Sequence, residues 1–140
     1  MPKLEYFVVC RSIATEVDSD ELTLSNVLED VVTDGFPDYL PKLMAISVWR
    51  IEDDEIEGDF QAMLYVTPPG NERADFAMNL VRGRKRHRAI QTVYNVPLDG
   101  PGELLCEVTL NGKDGASHVI TIHDAPWSKT DEGEDEDESE

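Results

Sequence analysis

The sequence predicts an all-β protein: an antiparallel sandwich of about eight strands with a disordered acidic C-terminal tail. Apolar and polar residues alternate in short runs, which is the period-two pattern of strands with a buried face. Turn-forming residues separate the runs at regular spacing. From residue 130 to 140 there is no apolar residue that could offset the entropy of ordering. A chain of 140 residues fits one domain, so we expect a sandwich over 1–127 and a disordered tail over 128–140.

The first half of the sequence contains four of the expected strands. Residues 4–13 are apolar on both faces, which predicts a strand covered on both sides or shielded by a neighbouring element. Residues 21–33 fit an amphipathic helix or a strand, and their β-branched side chains favour the strand. Residues 43–51 are typical of a buried strand with Trp49 in the core. An acidic hairpin loop is then expected to lead into a strand over 60–66.

The second half repeats this pattern, with strands expected over 76–81, 89–96, 104–110 and 119–122. The last two runs are separated by a segment that contains Asn-Gly, one of the strongest short signals for a β-hairpin.

Charge and targeting signals narrow the class of protein. The formal net charge is −18, and residues before 129 still carry −11, which disfavours non-specific attraction to nucleic acid or anionic lipid. No export signal and no apolar run of about 18 residues is present, so we expect a cytoplasmic protein without a membrane partner. In that compartment Cys10 and Cys106 are expected to be reduced, buried thiols.

Two features resemble immunoglobulin-like sandwiches. Residues 98–108 resemble the start of the penultimate strand of such domains, where an Asp-x-Gly corner precedes a strand that bears a cysteine. Trp49 lies where a mid-domain tryptophan would pack in the core. Leu104 replaces the corner tyrosine, and Cys10 lies too far before Trp49 for the usual spacing. The resemblance therefore implies the architecture and not membership of the antibody-like family.

A closer resemblance extends over most of residues 4–125. Its elements are the strand around 5–10, the Leu-Thr-Leu-Ser strand at 22–25, the Phe-Pro break at 36–37 and a Pro-Gly-Glu hairpin over 101–122. Together they resemble a bacterial family of immunoglobulin-like β-sandwich domains of unknown function. This resemblance implies no activity, no cofactor and no functional residues.

A basic run is the most unusual feature of the sequence. With one preceding arginine it holds six of the twelve Lys and Arg residues: Arg73, Arg82, Arg84, Lys85, Arg86 and Arg88. These side chains are our candidate binding residues for phosphate, nucleic acid or an acidic protein surface. Two other interpretations remain open: a solvated hairpin or edge strand kept from aggregating by like charge, and a site for the chain's own acidic tail.

The sequence contains no clear motif for catalysis, metal binding or a phosphate-binding loop. His118 and His123 do not form a metal motif, no serine lies in a nucleophile elbow, and no glycine-rich loop has phosphate-binding spacing. We therefore name no catalytic residue, no metal ligand and no cofactor. The leading hypothesis is a non-enzymatic binding or assembly module that acts through protein–protein contacts or self-association. The alternatives are an anion- or nucleic-acid-binding protein that uses residues 82–88, and a small hydrolase supported only by the acids and histidines.

Overall fold

A computed structural model describes residues 2–124, and the expected acidic tail over 128–140 lies outside the described residues. The strands are β1 (Lys3–Thr15), β2 (Leu22–Val27), β3 (Asp30–Thr33), β4 (Asp38–Arg50), β5 (Ala62–Thr67), β6 (Ala74–Ala77), β7 (Asn79–Val81), β8 (Arg86–Leu98), β9 (Gly102–Leu110) and β10 (Lys113–Asp124). One 3₁₀ turn, Asp53–Glu55, is the only helical segment within this part of the chain. The all-β prediction is confirmed.

The strands form two sheets of five. The first sheet has the order β2-β1-β4-β8-β7, and the second has the order β3-β10-β9-β5-β6. Neighbouring strands are antiparallel except for β3, which runs parallel to β10. The immunoglobulin-like connectivity stays a prediction. No helix among residues 2–124 is long and apolar enough to cross a membrane, and the cytoplasmic location also stays a prediction.

The core is a single apolar layer to which both sheets contribute. Leu43 from the first sheet and Leu64, Leu104 and Ile120 from the second are completely buried. Burying one such side chain contributes roughly 1.5–3 kcal/mol, so the alternation seen in the sequence is the main source of stability. Cys10 and Cys106 are buried free thiols, as expected.

Trp49 lies in this core, as the sequence predicts. Its side chain is only 3% exposed. The indole Nε1–H donates to the Ser47 hydroxyl oxygen at 2.8 Å, which pairs the one polar atom of the ring. Its ring meets Phe60 edge to face with centroids 5.9 Å apart. The indole therefore contributes a large apolar contact area to the core, and its N–H is not left buried without a hydrogen-bond acceptor.

Strand β4 is covered on both faces. Ile46 and Val48 are buried on the face opposite Trp49. The turn of the β1–β2 hairpin reaches back to this outer face of the first sheet, because Arg88 Nη2 donates to the backbone oxygen of Asp20 at 2.8 Å. An antiparallel sheet often leaves one face to water, but here the hairpin covers part of the second face.

The strand count is ten, so the expectation of about eight was wrong. Two runs, 21–33 and 76–81, each change sheets in the middle. The first passes from β2 to β3 at Leu28 and the second from β6 to β7 at Met78, and both of these side chains are buried. In 76–81 the apolar positions Phe76, Met78 and Leu80 keep the period of two through the crossing, so the pattern does not reveal it.

The connection after β4 also differs from the expectation. The acidic residues that follow Arg50 were expected to form a hairpin loop, yet β4 and β5 belong to different sheets. Residues 51–61 instead carry the chain from the first sheet to the second around the 3₁₀ turn. The sequence shows a polar break between two strands, and such a break is equally compatible with a hairpin and a crossing.

The β9–β10 hairpin is confirmed. Leu110 pairs with Lys113 across a two-residue turn, and Asn111 and Gly112 both have positive φ, at 52° and 78°. These are the dihedrals that a type I′ turn requires, and Asn-Gly is the dipeptide that adopts them with the least strain.

We expect Trp49→Ala to lower the free energy of unfolding by about 3–5 kcal/mol, because it leaves a large cavity in the core. Urea unfolding followed by circular dichroism measures the change. Val17→Ala is the matched control, since Val17 is 94% exposed and its truncation should cost less than about 0.5 kcal/mol. A loss below about 1 kcal/mol for Trp49→Ala would show that the indole is not a core residue.

Candidate functional site

The basic run forms the turn between β7 and β8. Ile51 N–H donates to the Lys85 carbonyl at 2.9 Å, which fastens the turn to the end of β4. Gly83 N–H donates to His87 Nδ1 at 3.1 Å. A Cβ at Gly83 would stand 2.3 Å from the Arg86 carbonyl oxygen, so only glycine allows this close approach of the two arms.

His87 fixes the turn from within. Its side chain is completely buried, and its ring meets Phe60 edge to face at 5.0 Å. Burial lowers the pKa of His87, and the positive charge of Arg82 lowers it further. Nδ1 accepts the Gly83 hydrogen bond, so the neutral ring carries its proton on Nε2. That atom is buried and has no hydrogen-bond partner of good geometry among the described residues.

The sheet register adds two cations to the run. Arg86 on β8 pairs with Arg50 on β4, and Arg50 pairs with Lys3 on β1. Directly paired residues point to the same face, and neighbouring strands are about 4.8 Å apart, so the three cations form a row across the first sheet. Arg88 lies two residues beyond Arg86 on that same face. Sequence reasoning missed Lys3 and Arg50, because only the pairing of distant strands brings them to the run.

We call this set the basic cluster: Lys3, Arg50, Arg82, Arg84, Lys85, Arg86 and Arg88. Four of its arginines, those at 82, 84, 86 and 88, line a hollow of about 230 Å³ together with Val81, Gly83 and Asp20. A concave surface lined by guanidinium groups is suited to an anion, because each group can donate two parallel hydrogen bonds to a phosphate or carboxylate.

Some members of the cluster have internal partners. Arg86 donates to Glu5, and this hydrogen bond, with the charges of Arg86 and Arg50, lowers the pKa of Glu5. Arg88 contacts the Asp20 carboxylate at 3.5 Å as well as its backbone oxygen. These contacts hold the arginines in fixed positions on the face of the sheet. Exposed pairs of this kind are weak enough for an incoming anion to replace them.

Arg82 connects the cluster to the acidic segment after β4. Its guanidinium donates to the Ile56 carbonyl at 2.6 Å and to the Gly58 carbonyl at 3.2 Å. An anion that approaches the hollow therefore has acidic side chains along one side. This arrangement confines favourable approach to the outer face of the first sheet.

Four cations are available to a ligand. The side chains of Lys3, Arg50, Arg84 and Lys85 are exposed and form no side-chain hydrogen bond or close ion pair within the described range 2–124. Arg84 lines the hollow and the other three lie beside it, so they can contact an extended anionic ligand without first breaking a side-chain hydrogen bond.

Arg73 is separated from the other predicted binding residues. It precedes β6 on the second sheet and forms a two-bond ion pair with Asp75, at 2.9 and 3.2 Å. Its guanidinium also lies 4.4 Å from the centre of the Tyr65 ring. Arg73 therefore has its partners on the second sheet. The sequence did not show that the fold separates Arg73 from residues 82–88.

The histidines and cysteines considered in the sequence analysis have structural roles: two histidines bond to neighbouring elements, and the cysteines are buried. His118 Nε2 lies 2.5 Å from the Leu28 carbonyl oxygen and His123 Nε2 lies 2.8 Å from an Asp30 carboxylate oxygen, so both connect β10 to the chain around β3. Burial raises the pKa of the Cys106 thiol to about 12, which keeps it protonated and poorly nucleophilic at neutral pH. No three His, Cys, Asp or Glu side chains of residues 2–124 converge as metal ligands.

Comparison with known proteins shows a similarity of fold. No protein-family model matches the sequence, and no curated protein is similar to it. The fold is similar to part of a solved structure of Pseudomonas fluorescens alkylpurine DNA glycosylase AlkC bound to DNA containing an abasic site analog, with a TM-score of 0.53 and 8% identity. The similarity covers 87% of this chain and 30% of the glycosylase chain, so this chain spans less than a third of that enzyme's length.

This similarity overturns the leading functional hypothesis. The prediction of a non-enzymatic module that acts through protein–protein contacts was wrong, because a solved protein that has a similar fold in part of its chain is an enzyme in complex with DNA. At 8% identity the similarity concerns the fold alone and transfers no active-site residue.

The buried His87 predicts a dependence of stability on pH. Its folded-state pKa lies below the ordinary value of about 6.5, so the unfolded chain takes up a proton near pH 6.5 that the folded protein does not. The free energy of unfolding should therefore fall as the pH is lowered from about 7.5 to about 5.5. Urea unfolding across this range measures the slope.

His87→Gln is the comparison variant, because every other ionisable group is the same in both proteins and its contribution cancels in the difference. The variant should be less stable at neutral pH and should lose part of the pH dependence. Equal slopes in the two proteins, or a wild type that gains stability as the pH falls, would contradict the buried neutral ring.

Proposed function

We propose that this chain is an immunoglobulin-like module that binds nucleic acid, with the basic cluster in contact with the phosphate backbone. The observation that carries the proposal is the hollow lined by four arginines, with Lys3 and Arg50 in register beside it. Phosphate contacts supply most of the affinity of sequence-independent binding, and arginine and lysine are the side chains that make them.

The geometry suits a chain of phosphates better than a single anion. The row formed by Lys3, Arg50 and Arg86 extends across three strands, so it is roughly 10 Å long. Arg84 and Lys85 continue the positive surface at the turn. A small anion would occupy the hollow alone, whereas a polymer of phosphates would contact both the hollow and the row.

The net charge of −18 does not prevent this mode of binding. Charges farther than about 8 Å apart are largely screened at physiological salt, so the local field at the cluster decides the contact. The acidic surface elsewhere restricts binding to the outer face of the first sheet. We therefore expect an affinity that depends strongly on salt.

The structural comparison supports the same class of ligand. The glycosylase with a similar fold was solved with DNA, and this chain corresponds in length to only part of it. We therefore propose a DNA-contacting role for the fold and do not extend the glycosylase chemistry to this chain. An RNA ligand would contact the same phosphate-binding residues, so the test includes both nucleic acids.

We expect the full chain to bind DNA or RNA oligonucleotides with an affinity that falls steeply between about 50 and 200 mM salt. The double variant Arg84→Gln/Lys85→Gln should bind several-fold more weakly and reduce the slope of log affinity against log salt by about 1–2. Both side chains are exposed and form no side-chain hydrogen bond or ion pair among residues 2–124, so the fold should be unaffected. Fluorescence anisotropy at several salt concentrations measures both quantities.

The matched control is Arg73→Gln/Lys113→Gln, which removes the same charge from the second sheet. It should bind like the wild type. No binding of either nucleic acid at low salt would refute the proposed function. Equal losses in the two double variants would show that net charge, rather than the basic cluster, governs binding.

A further inference from the structure

A groove opens at the other end of β8. Strand β7 pairs with only a short part of β8, from Arg88 to Ile90, so the following part of that edge has no strand beside it within residues 2–124. A groove of about 450 Å³ lies there, between β8 and the edge strand β6 of the second sheet. Most of its lining is apolar, aromatic or amide, including Phe76, Val93, Tyr94 and Asn95, and one acidic residue, Glu72, also lines it.

Tyr94 is the most exposed aromatic side chain of this groove. It is 67% exposed, although aromatic rings in a sandwich are ordinarily buried. Register pairs it with Lys42 on β4, which places an aromatic ring beside a cation on the outer face of the first sheet. Such a pair can stack on a flat ring and contact an adjacent phosphate.

The groove and the basic cluster share strand β8. The groove opens between the two sheets, where it is lined by Val66 and Val93 of the core, and Tyr94 lines it from the outer face of the first sheet. Arg86 and Tyr94 are eight residues apart on β8, an even number, so both side chains point to the outer face. At about 3.3 Å per residue, roughly 26 Å separates them. A nucleic acid strand of several nucleotides that contacts the cluster can therefore also reach the groove.

We propose that this groove binds an unpaired nucleobase, which stacks on Tyr94 while the basic cluster holds the phosphates. The inference rests on the proposed function and names its ligand class as single-stranded nucleic acid. The Asn95 amide offers a donor and an acceptor to the edge of the base, and Phe76 adds apolar contact. Asn71, whose Nδ2 donates to the Asp99 carboxylate at 2.6 Å, offers its amide oxygen as an acceptor.

A duplex would not use the groove in this way. Its bases are stacked and paired, so their faces are not available to a side chain unless a nucleotide leaves the helix. A single strand exposes those faces, and stacking on an aromatic side chain is the usual source of its affinity for proteins. The groove and the basic cluster together therefore predict a preference for single strands over duplexes, which phosphate contacts alone would not produce.

The test compares the full chain and its Tyr94→Ala variant on three probes: a twelve-nucleotide oligothymidylate, a three-nucleotide one, and a duplex of twelve base pairs. Tyr94→Ala should weaken binding of the long single strand by about 5- to 150-fold, the measured range for one stacked base. Binding of the short strand, which cannot reach both parts of the site, and of the duplex should change less than about twofold. Tyr94→Phe keeps the ring and should restore most of the affinity.

Tyr39→Ala is the matched control, because Tyr39 is an exposed tyrosine on β4 that does not line the groove. It should leave all affinities unchanged. Equal weakening by the two alanine variants, or no effect of Tyr94→Ala on the long strand, would overturn the groove as a base site. If the wild type binds no oligonucleotide, the proposed function itself fails. If Arg84→Gln/Lys85→Gln weakens binding while Tyr94→Ala does not, the proposed function stands and only this inference fails.

Discussion

The pairing of β4 with β8 is the interaction on which the rest of the structure depends. Twelve cross-strand pairs connect Asp38–Arg50 with Arg86–Leu98, and both strands lie in the middle of the first sheet. Their inward residues supply Leu43, Trp49 and Val93 to the core. Their outward residues place Arg50 beside Arg86 and Lys42 beside Tyr94. One ladder therefore builds the core, the basic cluster and the groove, and a one-residue shift in its register would remove all three.

The positions of the cations depend on the pairing of β4 with its neighbours and not on the overall composition of the chain. The sequence is strongly acidic, yet the cations of the cluster come together at one end of the first sheet. Arg82, through its bonds to the carbonyls of Ile56 and Gly58, sets the boundary between this positive face and the acidic segment. Salt screening limits the distance over which each charge acts. The protein can therefore repel anions over most of its surface and attract them at the basic cluster.

Local signals in the sequence were sufficient for part of this structure. The Asn111-Gly112 turn and the buried Trp49 follow from residue chemistry and alternation, and the basic turn at 82–85 follows from its composition. The sheet changes at Leu28 and Met78 could not be predicted, because alternation records burial and not the sheet to which a strand belongs. For the same reason Lys3 and Arg50, far from the basic run in the sequence, were missed. Arg73 was grouped with the basic run because it lies near the run along the chain, although the fold places it beside the second sheet.

We propose that nucleic acid binds the outer face of the first sheet, from the basic cluster towards Tyr94. A titration of the isotopically labelled full chain with a single-stranded oligonucleotide, followed by backbone amide NMR, tests this proposal directly. We expect shifts that saturate together at the amides of Lys3, Arg50, residues 82–88 and the Tyr94 region, with little change on β9 and β10 of the second sheet. Shifts confined to the second sheet, or no shifts at low salt, would contradict it.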